Sequence, residues 1–230
     1  ASDSFAAIGG GYHNYADGEF STIGGGHGDT TKGFYAGSLS GKGNVAGDTP
    51  GDSGAVVAGG LRNRATDMFT HIGGGTDNRA SVRYATVGGG YDNYATDTCG
   101  TVGGGYDNTA DGFCATVGGG RMNTASGRYA TIPGGQDNQA RGIYSFAAGR
   151  YAYARHHGSF VWSDSANTRD SVYSTGSNQF RVRARGGTCC SRTLRAAFAS
   201  VELVMVGECA RRRIETCRMV RDALHSGGVR

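Results

Sequence analysis

Four aspartates, Asp77, Asp92, Asp107 and Asp137, stand on one 15-residue grid, and each directly precedes an asparagine. If the grid is one turn of a coil, the carboxylates stack about 4.7–4.9 Å apart. Stacked carboxylates repel one another and could recruit a hard cation such as Ca²⁺. Known Ca²⁺-binding β-rolls share the Gly-Asp flavour but repeat every nine residues or so. The column is also broken by His13, Arg62 and Met122. Those breaks favour solvated corner residues, and no metal is assigned. Cys99 and Cys114 are also 15 residues apart. Neighbours on adjacent turns could approach disulfide range. Both replace an aromatic, so buried thiols acting as small apolar fillers are favoured over a disulfide.

Other chemistry finds little purchase. No Cys-x-x-Cys occurs, and no Cys/His set has zinc-ligand spacing. His156-His157, near Trp162, reads as a surface feature rather than a ligand pair. Gly-Gly-Gly-Tyr lacks the Lys-Ser/Thr of a phosphate loop and the strand-to-helix context of a dinucleotide fold. No Ser/His/Asp or paired-carboxylate arrangement stands out. The expectation is no enzyme activity and no cofactor. Tyr12, Tyr91 and Tyr106, which follow glycine triplets, and Tyr151, which follows Gly149-Arg150, are the candidate ligand-binding residues. Tyrosine is enriched in recognition patches and stacks on apolar sugar faces. The competing reading, which the pattern favours, is an aromatic ladder that only stiffens the molecule.

These residues need a scaffold with a 15-residue period. The phrase Thr-Val-Gly-Gly-Gly-Tyr-Asp-Asn-x-Ala carries it. Its aliphatic slot falls at Ile8, Ile23, Ser38, Val57, Ile72, Val87, Val102, Val117, Ile132 and Ala147. Eight intervals are 15 residues; the one from Ser38 to Val57 is 19. The extra four residues belong to a loop at 47–54, rich in Gly, Asp and Pro. Asn recurs at 14, 44, 63, 78, 93, 108, 123 and 138. An aromatic recurs at 5, 20, 35, 69, 84, 129 and 144, with Cys99 and Cys114 in the same column. Fifteen residues are too few for a helical repeat, which needs about 33. They suit one turn of a β-solenoid, with two brief strands and two tight turns. Asn63, Asn78, Asn93, Asn108, Asn123 and Asn138 are then a structural ladder, bonded along the stack and tolerant of the left-handed conformation a corner requires.

Parity adds an oligomer argument. Tyr84 lies three residues before Val87. In a regular strand the two side chains point to opposite faces. A coil this small has one interior, so its second apolar face calls for a cover, most simply an identical neighbour. A bulge between the columns would weaken this inference.

Composition agrees. Of 230 residues 43 are Gly and only 2 are Pro, without the every-third-residue pattern of collagen. Aromatics at 10% and fixed glycine spacing argue against disorder. Residues 1–187 carry 15 basic and 15 acidic residues, so the net +4 falls entirely in 188–230. The body has no basic stripe, and nucleic-acid binding is not expected. No 18-residue apolar run exists, so no membrane insertion of this segment is expected. The repeat begins at once, with Ser4-Phe5-Ala6-Ala7-Ile8-Gly9-Gly10-Gly11, and no signal peptide is evident. The chain reads as a mature or excised portion.

The units resemble the head repeats of trimeric autotransporter adhesins of the YadA type. Ser145-Phe146-Ala147-Ala148-Gly149-Arg150-Tyr151-Ala152-Tyr153-Ala154, then His157-Gly158-Ser159-Phe160-Val161-Trp162-Ser163-Asp164, look like the usual end of such arrays. The resemblance covers roughly residues 1–187. It implies an all-β, left-handed parallel β-roll, a homotrimer of such rolls, and adhesion to a surface. The 15-residue unit departs from the family's more usual 14, as do the cysteines and the tail. The expected division is a repeat array over 1–158, an array-terminating or neck-like segment over 159–187, and an Arg- and Cys-containing tail over 188–230. In the tail, Leu194, Ala197, Val201 and Val204 have heptad-like spacing that does not persist. A short trimerising helix, a non-native reading of the gene, and a basic peptide touching an acidic partner all fit it.

The expected role is an extracellular adhesive fibre head, anchored at a cell surface or outer membrane and binding a host or bacterial surface protein or glycan. A phage or viral tail-fibre segment is the first alternative; cysteines suit assembly in a reducing cytosol. An ice-binding solenoid is the second. Thr22, Thr86, Thr101, Thr116 and Thr131 supply a single Thr column for it.

Overall fold

The computed structural model describes residues 5–165 and 171–184. The expected tail helix lies outside them. Among the described residues all regular structure is β, in two parallel sheets of 13 and 11 strands. The first sheet runs from Ala7–Ile8 through Thr86–Val87 to Phe180–Arg183. The second runs from Tyr15–Ala16 through Tyr94–Ala95 to Val172–Tyr173. Apart from Gly135–Gln136, which follows Thr131–Ile132 in the first sheet, successive strands alternate between the sheets, so the chain is a parallel β-solenoid.

One coil shows how the residues do this. Thr86–Val87 forms a two-residue strand, with Thr86 turned outward and Val87 fully buried. Gly88-Gly89-Gly90 makes the first corner. Tyr91 forms a single bridge to its neighbours above and below, a third ladder between the two sheets. Asp92 takes a left-handed conformation, Asn93 is buried, and Tyr94–Ala95 enters the second sheet. A second corner ends at Cys99, again left-handed. The glycines are forced by the neighbouring coil. A Cβ on Gly88 would lie 2.3 Å from the Gly103 carbonyl oxygen, and one on Gly90 would lie 2.2 Å from that of Gly105.

The ten expected slots stack in register. Ile8 pairs with Ile23, Ser38 with Val57 across the insertion, and Val117 with Ile132. Thr131 pairs with Phe146, which brings Ala147 into the column. The inserted loop is closed by Asp52, whose Oδ2 accepts the Asp48 and Thr49 amides at 2.9 and 2.8 Å. Past Ala147 the coiling goes on. Phe160–Ser163 and Phe180–Arg183 add to the first sheet and Val172–Tyr173 to the second. The segment from 159 thus carries further rungs of the same solenoid. There Arg183, only 6% exposed, bonds Ser163 Oγ at 2.6 Å and Asp164 Oδ1 at 3.1 Å.

The asparagine ladder is internal and saturated. Asn108 is fully buried; its backbone N–H and its Nδ2 both donate to Asn93 Oδ1, at 3.0 and 3.1 Å. Nδ2 also donates to the Gly104 and Gly120 carbonyls at 3.0 and 2.9 Å. The same four bonds recur at Asn78, Asn93, Asn123 and Asn138. The expected self-stacking is therefore present. The expected left-handed asparagine is not. The residue just before it bears the strained backbone: Arg62, Asp77, Asp92, Asp107, Met122 and Asp137 have φ between 53° and 57°. The asparagine is freed to point inward.

One rung belongs to this ladder that the asparagine spacing alone does not show. Asp29 sits between Asn14 and Asn44, is fully buried, and accepts the Asn44 N–H on Oδ1 at 2.7 Å. Its own N–H donates to Asn14 Oδ1 at 3.0 Å. Its Oδ2 is buried with no hydrogen-bond partner. Nearby, Ser21, Thr31 and Ser38 are buried with unpartnered hydroxyls, all in the same early coils.

Candidate interaction surface

The column three residues before the aliphatic one is not part of a strand. Phe5, Phe20, Tyr35, Phe69, Tyr84, Tyr129 and Tyr144 all occupy left-handed corner positions, with φ from 55° to 62°. The period-two argument, which assumed one regular strand from Tyr84 to Val87, does not apply. The outward direction it inferred is nevertheless found, because the corner backbone throws these side chains out. They are 36–77% exposed.

Stacking makes this column a ridge. Phe5 and Phe20 lie 5.0 Å apart and parallel, as do Phe20 and Tyr35 at 5.1 Å, Phe69 and Tyr84 at 5.6 Å, and Tyr129 and Tyr144 at 5.1 Å. Sequence reasoning missed the column beside it, one residue earlier. There Phe34 packs edge-on to Tyr35 at 4.3 Å, Phe113 meets Tyr129 at 5.6 Å, and Arg128 lies 4.8 Å over Phe113 and 5.0 Å over Tyr129. The signal was present in the apolar residues Phe34, Met68, Phe113 and Ile143 at that grid position, though Arg and Thr interrupt it. The ridge itself breaks at Gly54 and at Cys99 and Cys114. Both thiols are half-buried on this outer corner, not packed inside, so the filler reading of them is overturned. Burial and the neighbouring Cys99 push the Cys114 thiol above its ordinary value.

Tyr12, Tyr91 and Tyr106 stand in the single-bridge ladder, 64%, 45% and 47% exposed. Tyr91 stacks on Tyr106 at 5.4 Å, and Arg121 lies 5.6 Å over Tyr106. His27, Lys42, Leu61 and Thr76 separate Tyr91 and Tyr106 from Tyr12, so no continuous tyrosine track results. Tyr151 does not join that ladder. Gln136 pairs with Arg150, and Ala152 takes the slot above the last asparagine, its N–H donating to Asn138 Oδ1 at 3.0 Å. The coil is one residue shorter here. Tyr151 therefore falls in the aspartate column, with φ 57°.

All four aspartates are left-handed corner residues, and Asp77, Asp92 and Asp137 have side-chain partners. Arg62 holds Asp77 at 2.7 Å, and keeps its carboxyl below the usual range. Asp92 accepts a short bond from Tyr94 Oη, which with burial pushes that phenol up to about 12. Gln136 donates to Asp137 at 2.9 Å. His156 Nδ1 lies 2.8 Å from Ser174 Oγ, tying one coil to the next. Among the described residues no three His, Cys, Asp or Glu side chains converge on a common point.

The outer face of the first sheet carries Thr86, Thr101, Thr116 and Thr131 in register. His71 precedes them and Phe146 follows. Phe146, Phe160 and Phe180 then stack at 4.6 and 4.7 Å. An open groove lies beside this last stack, lined by Gln136, Arg150, Trp162 and Asp164. No protein-family model and no curated protein sequence matches the chain.

Proposed function

We propose that the chain is a non-catalytic, extracellular adhesive fibre head of the kind its repeats resemble. In this reading three left-handed coils stand side by side with their aromatic ridges turned toward one another. The outer ladders then meet host or neighbouring-cell proteins or glycans, and three repeated chains supply avidity without a deep site. One observation supports this most: three runs of stacked aromatic rings in one column on the outside of a single chain. Exposed apolar patches of such extent mark interaction surfaces.

Light scattering on the full chain tests it. The expected mass is three times the 23.7 kDa of one chain. Replacing Phe69 and Tyr84 together by Ser is expected to shift the mass toward one chain. Both are half exposed, so the coil itself should survive, as its β-type circular dichroism would show. Thr116→Ser on the first sheet should leave the mass unchanged. A single-chain mass for the intact molecule would remove the reading.

A further inference from the structure

The break in the aromatic ridge points to a modification site. Cys99 and Cys114 occupy the same corner on successive coils, and Thr101 and Thr116 just after them are paired in register. Their backbones are nearly identical, with φ of 56° and 51°, so their Cα–Cβ bonds run side by side. Adjacent rungs place equivalent Cα atoms about 4.8 Å apart, inside the roughly 4.4–6.8 Å range that a disulfide spans. The Cys114 N–H donates to the Thr98 carbonyl at 2.9 Å, which seats the two corners on one another. Both thiols are free and half-buried, hence reachable from solvent.

We infer that Cys99 and Cys114 form a redox-controlled staple between two coils, closed by a small disulfide such as oxidised glutathione. One thiolate attacks a sulfur of the oxidant, whose S–S bond breaks and releases one glutathione thiolate. The second thiolate then attacks the protein sulfur of this mixed disulfide and releases the other. The protein loses two electrons and two protons; glutathione gains both. The bond would form where ring stacking is absent, between Tyr84 below and Tyr129 above, and would hold the ridge together across its gap.

The thiol's surroundings set the pH response. Burial, Cys99 and Asp97 raise the Cys114 thiol, and Arg128 opposes them. The thiolate is the attacking form, so closure should accelerate as pH rises through and above the ordinary thiol range.

The inference concerns one chain and does not rest on the trimer. Its test uses the full chain with Cys189, Cys190, Cys209 and Cys217 replaced by Ser, so that only this pair can react. After incubation with oxidised glutathione at pH 8.5, both free thiols are expected to disappear. Denaturing non-reducing electrophoresis should then show a single-chain species. Peptide mapping should show Cys99 joined to Cys114, and the urea midpoint should rise, returning on reduction. With Cys114→Ser in the same background, a stable glutathione adduct at Cys99 is expected instead. A disulfide between chains, or glutathione retained on both cysteines of the pair, would overturn the staple. Either result is separable from the oligomer question, because light scattering reads that without oxidant.

Discussion

At pH 7.5, replacing Asp29 by Asn is expected to stabilise the early coils by about 2–3 kcal/mol, the scale of satisfying a buried polar group that now lacks a partner. In every neighbouring rung the second side-chain atom is an NH₂ that donates to two carbonyls; at Asn44 these are Ser40 at 3.2 Å and Gly60 at 3.0 Å. Asp29 puts an oxygen in that place. A Cβ built on Gly26 would lie 2.5 Å from both Asp29 Oδ2 and the Gly41 carbonyl oxygen, so acceptor is set beside acceptor. A protonated carboxyl can donate to one of them; a carboxylate can donate to none. Burial accordingly raises the Asp29 carboxyl above its ordinary value, against the opposing bonds from Asn44 and the nearby His27.

The sign follows. A raised carboxyl means that the folded state holds the proton more tightly than the unfolded chain. Its contribution is fully present below the ordinary carboxylate range and is lost as pH rises through the raised value. The advantage of Asp29→Asn should therefore be largest near neutrality and shrink on acidification. Urea unfolding of both proteins between pH 4 and pH 7.5 measures it, and the difference between them cancels oppositely shifted groups such as Asp77. An advantage independent of pH, or a less stable Asn variant, would refute the protonated rung.

The second large effect lies mid-array. Asn108→Ala is expected to cost about 3–5 kcal/mol. It strips an acceptor from the Asn123 N–H and Nδ2, at 3.1 and 3.0 Å, and a donor from the Gly104 and Gly120 carbonyls. All four partners sit in or against a buried column where water cannot easily replace the amide. Each repeat touches only its neighbours, so the damage should centre on the coils around residue 108. Hydrogen exchange at the Asn108 and Asn123 amides reads this directly. Asn108→Asp should be comparably destabilised at pH 7.5 and recover partly on acidification, whereas the Ala variant should not. Full protection of the Asn123 amide in Asn108→Ala would mean that the ladder contributes little.

Several elements were legible in the residues before any coordinates. The aliphatic slots, the 19-residue interval and the loop at 47–54 all stack as their spacing implied. The asparagines bond along their own column. Other features were hidden. Asp29 broke the asparagine spacing, so its membership of the ladder appeared only when its bonds to Asn14 and Asn44 were seen. Tyr151 falls on the 15-residue grid of Tyr91 and Tyr106, and only the short coil, which pairs Gln136 with Arg150, moves it into the next column. The second ridge column, with Phe34 and Phe113, was obscured by Arg83 and Arg128 in the same slots.

The dividing line has a physical cause. Sequence by itself determined which residues share a column, because coils of equal length stack like on like and the repeat length is printed in the chain. Tertiary structure decided which way each column faces. That choice rests with the left-handed corners: at Asp107 the corner turns the next residue, Asn108, into the interior, and at Tyr84 it turns the ring out. Spacing is the same for an inward and an outward column, so only the folded backbone separates a core from a ridge.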